Sequence, residues 1–339
     1  MSKNTNSSDS LTSEPKLCFI LGILQRSGTH HIYRLLGLHP DCLSTNFLTE
    51  YFLMHHSETL KNYIDGVYEL WQPKNKIERN IDARNMLWRC LGDSLGRFLK
   101  LQITKSKAPQ SLTSQTTSEE SRSRIMLAKT PSVKGSNNLF DLLPGSYLII
   151  LIRDGRAIVE SGAKTFGWNY ESAMRNWADA AKIILDLKEK CKDSDNKLLV
   201  LKYEDLVNDE KNELLKVFDF LGLNAELFDF DKAKSLNVVG SSEAIKQSGH
   251  MHWEPITKTK EFNPLKRFSD WDKKKRSRFN WIAGRYMAQL GYDTIEVSSK
   301  EPLDIARNKL LDFLWVLRRI WLNITRRVIK RLSPKSTLA

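Results

Sequence analysis

The sequence has few cysteines: Cys18, Cys42, Cys90 and Cys191 are the only four in 339 residues. Their scattered positions exclude a zinc module and a disulfide-stapled scaffold, and predict reduced, mostly buried thiols. Glycine (16) and proline (10) are too sparse for a collagen-like or low-complexity chain. No signal peptide or membrane-spanning run opens the sequence, and no internal repeat is visible. The opening MSKNTNSSDSLTSEP is polar, so residues 1–15 are expected to be a disordered leader and the location cytoplasmic. What is present is a globular composition, 41% hydrophobic and 27% charged. Lysine and arginine number 53 against 40 acids, a formal charge of +13. Such a balance suits an anionic ligand, a nucleic acid or an acidic membrane, without choosing among them.

Lys16–Ile23 is a short apolar run that breaks into QRSGTH, reading as a buried strand, a turn, and a helix that ends near Gly37. Ile125–Lys129, Ser146–Ile152 and Lys197–Lys202 repeat the pattern, with helical segments between them. Strands that are apolar along their whole length and alternate with helices predict an α/β fold, a central parallel sheet flanked by helices. Residues 103–124, rich in Ser, Thr and Gln, predict a flexible loop or lid. A helical stretch Lys273–Gln289 leads to Leu290-Gly291-Tyr292, where the globular part is expected to close.

The turn Gly22-Ile-Leu-Gln25-Arg26-Ser27-Gly28-Thr29-His30 has the composition of an anion cradle. Backbone N–H groups and a helix N-terminus there favour a phosphate-like group. An ATP or GTP loop needs Lys and then Ser or Thr directly after the last Gly. Thr29 and His30 occupy those places, which argues against a kinase or NTPase. An ordinary capped helix start remains open for this segment alone.

After the strand SYLIILI comes Arg153-Asp154-Gly155-Arg156-Ala-Ile-Val-Glu160-Ser161. Arg153 ends the strand and Ser161 follows about two helical turns on, so a guanidinium and a hydroxyl could grip one phosphate dianion. The alternative is a simple Arg153–Asp154 pair at the helix entrance.

Together the two segments resemble the sulfotransferases that use 3′-phosphoadenosine 5′-phosphosulfate (PAPS), closest to the tyrosylprotein sulfotransferase-like and bacterial branch. The resemblance spans Lys16 to Tyr292. It passes through R-S-G-T, His39-Pro40-Asp41, R-D-G-R-A…S, K-Y-E-D-L (Lys202–Leu206) and L-G-Y. It implies a P-loop-NTPase-like sulfotransferase fold over 16–297, with PAPS as co-substrate and no metal. By that resemblance Arg26, Ser27, Gly28, Thr29 and His30 bind the 5′-phosphosulfate, while Arg153 and Ser161 bind the 3′-phosphate. Tyr203 lies beside the nucleotide or is a core aromatic at a strand end.

Sulfuryl transfer is an in-line displacement that needs a base for the acceptor and a cation for the leaving oxygen. The family places a glutamate soon after H-P-D. Direct counting reaches Phe47 instead, so a small insertion makes Glu50 the expected base. Glu50 could instead be a helix N-terminal carboxylate, and His55 and His56 are alternative bases. Lys129, ending IMLAK, is expected at the leaving oxygen. Ser248, in K-Q-S-G-H, and Arg267, with Lys266 as competitor, match late family positions near the transferring group and the nucleotide. The acceptor is a small molecule, carbohydrate, lipid or peptide.

The segment 301–333 predicts an amphipathic basic helix. Leu310, Leu314, Leu317, Trp321, Ile324 and Val328 recur at heptad spacing among arginines. Nine Lys/Arg minus three Asp/Glu over 301–339 give this tail +6. It is too charged to span a bilayer. It packs on its own domain, on a homodimer partner, or on an anionic membrane as a peripheral contact. The run Lys273–Arg278 reads as a solvated helix face or a docking surface. No nucleic-acid fold signature accompanies these charges, so nucleic acid is not expected as a partner.

Overall fold

Lys16–Gly22, Ile125–Thr130 and Tyr147–Ile152 are buried at every position but Lys16, as strands covered on both faces must be. A computed structural model describes residues 15–44, 50, 52–70, 81–106, 124–236, 238–239, 255–256, 267–294 and 302–332. Its five-stranded sheet joins β1 (Lys16–Gly22), β2 (Cys42–Ser44), β3 (Ile125–Thr130), β4 (Tyr147–Ile152) and β5 (Lys197–Lys202). The order is β2-β3-β1-β4-β5 and every pairing is parallel. A short antiparallel ribbon, β6 (Val238–Val239) with β7 (Pro255–Ile256), lies apart from it in the pairing.

The helices of this part are α1 (Thr29–Leu36), α2 (Ser57–Leu70), α3 (Ile81–Ser106), α4 (Leu139–Leu142) and α5 (Gly155–Phe166). They continue with α6 (Tyr170–Lys192), α7 (Tyr203–Asn208), α8 (Glu210–Leu221) and α9 (Phe230–Lys234). The core gathers Ile20, Ile32, Ile149 and Leu151 with Leu214, Phe218 and Phe228.

Register fixes where the site lies. Ile20 pairs with Lys129, Gly22 with Leu151, and Ile152 with Lys202. The carboxyl ends of β1, β3, β4 and β5 therefore lie along one edge. The chain runs from β1 to β2 and β3 on one side and to β4 and β5 on the other. In open α/β sheets that reversal is where ligands bind.

One expectation changes, and one strand is added. The loop expected over 103–124 starts later, because α3 stays helical through Ser106; residues 107–123 lie outside the described residues. Strand β2 is a three-residue edge that no apolar run announces. The cysteines are all free, with only Cys90 exposed.

The chain divides into two units, Met1–Phe268 and Ser269–Ala339. The second holds α10 (Lys273–Gln289) and α11 (Pro302–Leu332). Asp272 caps α10 by accepting from Lys275 N at 2.7 Å. The L-G-Y motif ends that helix. Gly291 takes φ 75°, and Tyr292 N donates back to Met287 O at 2.9 Å, a turn that glycine adopts without a Cβ penalty. Lys273 and Lys274 are exposed as expected, but Arg278 is not part of a solvated face. It is buried because its guanidinium donates to Asp312 Oδ1 at 2.7 Å and to Asn308 O at 3.0 Å on α11.

Candidate active site

The turn after β1 is shaped by backbone conformation. Arg26 takes φ 75° and Gly28 takes φ 93°, so two left-handed residues wind the chain tightly before α1 begins at Thr29. Ser27 Oγ closes the turn by donating to Leu24 O at 2.5 Å. A Cβ on Gly28 would sit 2.4 Å from the Tyr203 ring, and one on Gly22 would sit 2.2 Å from Ser27 Oγ. Both glycines are required by close approach. Tyr203 is a core aromatic as expected, and its ring also packs against the β1 loop at Gly28.

Three guanidiniums converge here. Arg26 Nε donates to Ser161 Oγ at 3.1 Å, and Arg267 Nη1 reaches the same oxygen at 3.3 Å. Arg153 Nη1 donates to Arg26 O at 2.6 Å, and its guanidinium lies 4.5 Å from the Tyr203 ring centroid. Burial first, then the charges of Arg267 and Arg153, lower the Arg26 guanidinium from its ordinary value to about 10, while Tyr203 works in the opposite sense. Arg26 stays charged at neutral pH, held against like charges that an anion would offset.

The pair Arg153–Asp154 does not form the helix entrance. Asp154 caps α5 by accepting from Arg156 N at 2.8 Å, and its carboxylate takes the Arg156 side chain at 2.6 and 3.0 Å. The second arginine of R-D-G-R thus occupies the aspartate. Trp177 Nε1 donates to Arg153 O at 3.3 Å and fixes the strand end.

A second cluster adjoins the first turn of α1. Lys129, only 4% exposed, donates from Nζ to His30 Nδ1 at 3.3 Å and pairs with Glu50 Oε1 at 3.6 Å. Burial lowers the Lys129 ammonium, and Glu50 partly restores it. His30 falls from 6.5 to about 4 through burial and then the charges of Lys129, Arg34 and His31. It is therefore neutral at pH 7, with its proton on Nε2 and Nδ1 accepting from Lys129.

Glu50 precedes the Met54–His56 turn and lies in no helical first turn, so the helix-dipole alternative does not apply. Phe52, at φ 51°, donates its N–H to Thr130 Oγ1 at 3.1 Å and ties this segment to the end of β3. His55 is engaged elsewhere, its Nδ1 3.1 Å from Ser132 Oγ. Ser248 lies outside the described residues. Sequence reasoning assigned no role to His39 of H-P-D, yet it is a structural joint. Its Nδ1 accepts from Asp41 N at 3.1 Å, so Nε2 donates to Asn224 O at 3.0 Å.

A tight glycine-bearing turn and converging arginines at the switch point of a parallel sheet, with a buried lysine and a carboxylate beside them, are an arrangement suited to transfer of an anionic group. The chain belongs to the sulfotransferase family, whose model matches residues 18–227. It is a sulfotransferase enzyme, as the motifs from R-S-G-T to K-Y-E-D-L lead one to expect.

Among solved structures the chain is similar to the sulfotransferase domain of the Synechococcus PCC 7002 olefin synthase. Identity is 20%, coverage 82% of this chain and 96% of that one, and TM-score 0.48. A sulfotransferase from Alicyclobacillus acidocaldarius is 15% identical over 83% of this chain and 97% of its own, with TM-score 0.41. Retinol dehydratase, in a complex with retinol and 3′-phosphoadenosine 5′-phosphate (PAP), is 17% identical over 82% of each chain, with TM-score 0.37. No curated protein matches. The family assignment rests on the model match.

Proposed function

We propose that this sulfotransferase draws its sulfuryl group from PAPS and passes it to a hydroxyl or amine acceptor. The observation that carries this reading is the gathering of Arg26, Arg153 and Arg267 about Ser161 and the β1 loop. Two cations on one hydroxyl, with a third on the Arg26 carbonyl beside it, suit a multiply charged phosphate donor better than a neutral ligand. The loop residues Gly28 and Thr29 bring backbone N–H groups to the 5′ end, while Ser27, whose N–H and Oγ both donate to Leu24 O, shapes the turn. Arg153, Ser161 and Arg267 take the 3′-phosphate, and Tyr203 supports both through Gly28 and Arg153.

The donor supplies a sulfuryl group on a phosphate leaving group. Glu50 accepts the acceptor's O–H or N–H proton as that atom bonds to sulfur and the bond from sulfur to the bridging oxygen breaks. The charge left on that oxygen is met by Lys129 Nζ. Neutral His30 holds Lys129 by accepting from it, so the ammonium is aimed rather than free to swing. Ser248 is proposed near the transferring group on the family resemblance alone. The acceptor class remains small molecule, carbohydrate, lipid or peptide, since one fold serves all of these.

A comparison of melting temperatures tests the donor. PAP should raise the melting temperature of the chain well above the shift given by ATP at equal concentration, because binding to the native state alone adds stability. Equal shifts would remove the PAPS assignment. Sulfuryl transfer from labelled PAPS to a mixed acceptor pool, with Glu50→Gln as control, identifies the acceptor.

A further inference from the structure

Helix α11 turns its carboxylates toward partners. Asp312 accepts from Arg278 at 2.7 Å and from Trp281 Nε1 at 2.8 Å, both on α10, and Asn308 one turn earlier is fully buried. Asp304 pairs with Arg307 on its own helix at 3.1 Å. The opposite side of the helix is apolar and bare. Leu310, Phe313, Leu317, Ile320, Trp321 and Ile324 are each between 45% and 62% exposed. At helical spacing these six fall within about 100° of arc, roughly half a turn away from Asn308 and Asp312. Exposed Lys309 and Arg318 stand at the two margins of this stripe. Arg319 is also exposed but falls on the side of Asn308 and Asp312, away from the stripe.

We propose that this stripe is a membrane-docking surface, with α11 lying in the plane of an anionic leaflet. The apolar residues would enter the interfacial region while the marginal cations meet lipid phosphates and carboxylates. Charge decides the occupant. A second copy laid on the stripe would bring the same cations to both margins, while the two acids of α11 are already taken by Arg278, Trp281 and Arg307. An anionic lipid surface meets both the apolar face and its rim. No helix among the described residues is long and apolar enough to cross a membrane, so docking in the plane is the geometry that remains for this one. The inference is independent of the donor and acceptor assigned above.

Flotation of the full chain tests it, using vesicles of phosphatidylcholine alone and of phosphatidylcholine mixed with phosphatidylserine. The chain should float with the mixed vesicles, stay behind with the neutral ones, and be released by salt. The double variant Leu317→Glu/Trp321→Glu should lower partitioning about tenfold or more, with an unchanged melting temperature because neither residue faces α10. Lys309→Glu/Arg318→Glu, at the two margins, probes charge separately and should lower it by about tenfold or more as well. Absence of flotation by the full chain would overturn the proposal, as would a Leu317→Glu/Trp321→Glu chain that floats like the parent. A dimer of the parent in light scattering that this variant converts to monomer would assign the stripe to a second copy instead.

Discussion

Arg26 Nε donates to Ser161 Oγ across 3.1 Å although 135 residues separate them in sequence. The bond joins the β1 loop to helix α5, so the two motif segments meet at one hydroxyl. Arg267 completes the meeting from the late part of the chain. By the family resemblance, Arg26 serves the 5′ end of the nucleotide and Ser161 the 3′-phosphate. On the proposed reading, the hydrogen bond joins the residues that hold the two ends of the nucleotide. Like charges held this close are favourable only with an anion to share, which is why the cluster is better suited to binding than to stability.

Gly28 is the position where backbone and packing agree most closely. At φ 93° an L side chain is strained, and its Cβ would lie 2.4 Å from Tyr203 Cδ2. Gly28→Ala should cost about 2 kcal/mol or more of unfolding free energy, from left-handed strain plus overpacking. Urea unfolding measures it. A stability equal to the parent would mean that the loop takes another shape.

His30 should make the protein acid-sensitive in a defined window. Its folded-state value of about 4 lies below the ordinary 6.5, so between those values the unfolded chain binds a proton that the folded chain refuses. The contribution is complete above about pH 6.5 and falls as pH drops toward about 4. Because the ring is half-exposed and solvent screens it, the loss should be about 1–2 kcal/mol, less than the full linkage value. Urea unfolding across pH should show this slope, and His30→Gln should flatten it. An unchanged slope would place the titrating group elsewhere.

Much of this arrangement is legible in the sequence, for physical reasons. Strands β1, β3 and β4 are continuous apolar runs, as the interior of a doubly covered sheet demands, and the edge strand β5 is apolar between its two lysines though only Leu201 of it is buried. R-D-G-R is legible as a motif, but not which arginine Asp154 would take; only the capping geometry of α5 shows that it takes Arg156 and leaves Arg153 for the loop. Strand β2 is too short to carry a pattern. The basic run Lys273–Arg278 looks solvated because a sequence cannot show that Asp312, thirty-four residues later, turns toward Arg278. Glu50 is reached from the sequence only by allowing an insertion after H-P-D; its 3.6 Å distance to Lys129, a contact between residues seventy-nine apart, is not legible there.

Glu50 and Lys129 should separate in their pH behaviour. Glu50→Gln keeps the shape but cannot take a proton, so turnover should fall about 10²- to 10⁴-fold with PAP affinity retained. Part of that loss should return at high pH, where acceptors ionise unaided. Lys129→Ala should also lower turnover, without rescue at high pH, because its proposed role is to meet charge on the leaving oxygen. Steady-state rates from pH 6 to 10 distinguish the two. A Glu50→Gln enzyme with near-parent turnover at neutral pH would move the base to His55 or His56.

Calorimetric titration of PAP into the parent, Ser161→Ala and Arg153→Ala tests the central claim most directly. Tight binding to the parent, with ATP far weaker, is expected. Each substitution should cost on the order of 2 kcal/mol, roughly thirtyfold in Kd, in chains that remain folded by circular dichroism. PAP affinity unchanged in folded Arg153→Ala and Ser161→Ala would contradict the claim that this arginine cradle is the nucleotide site.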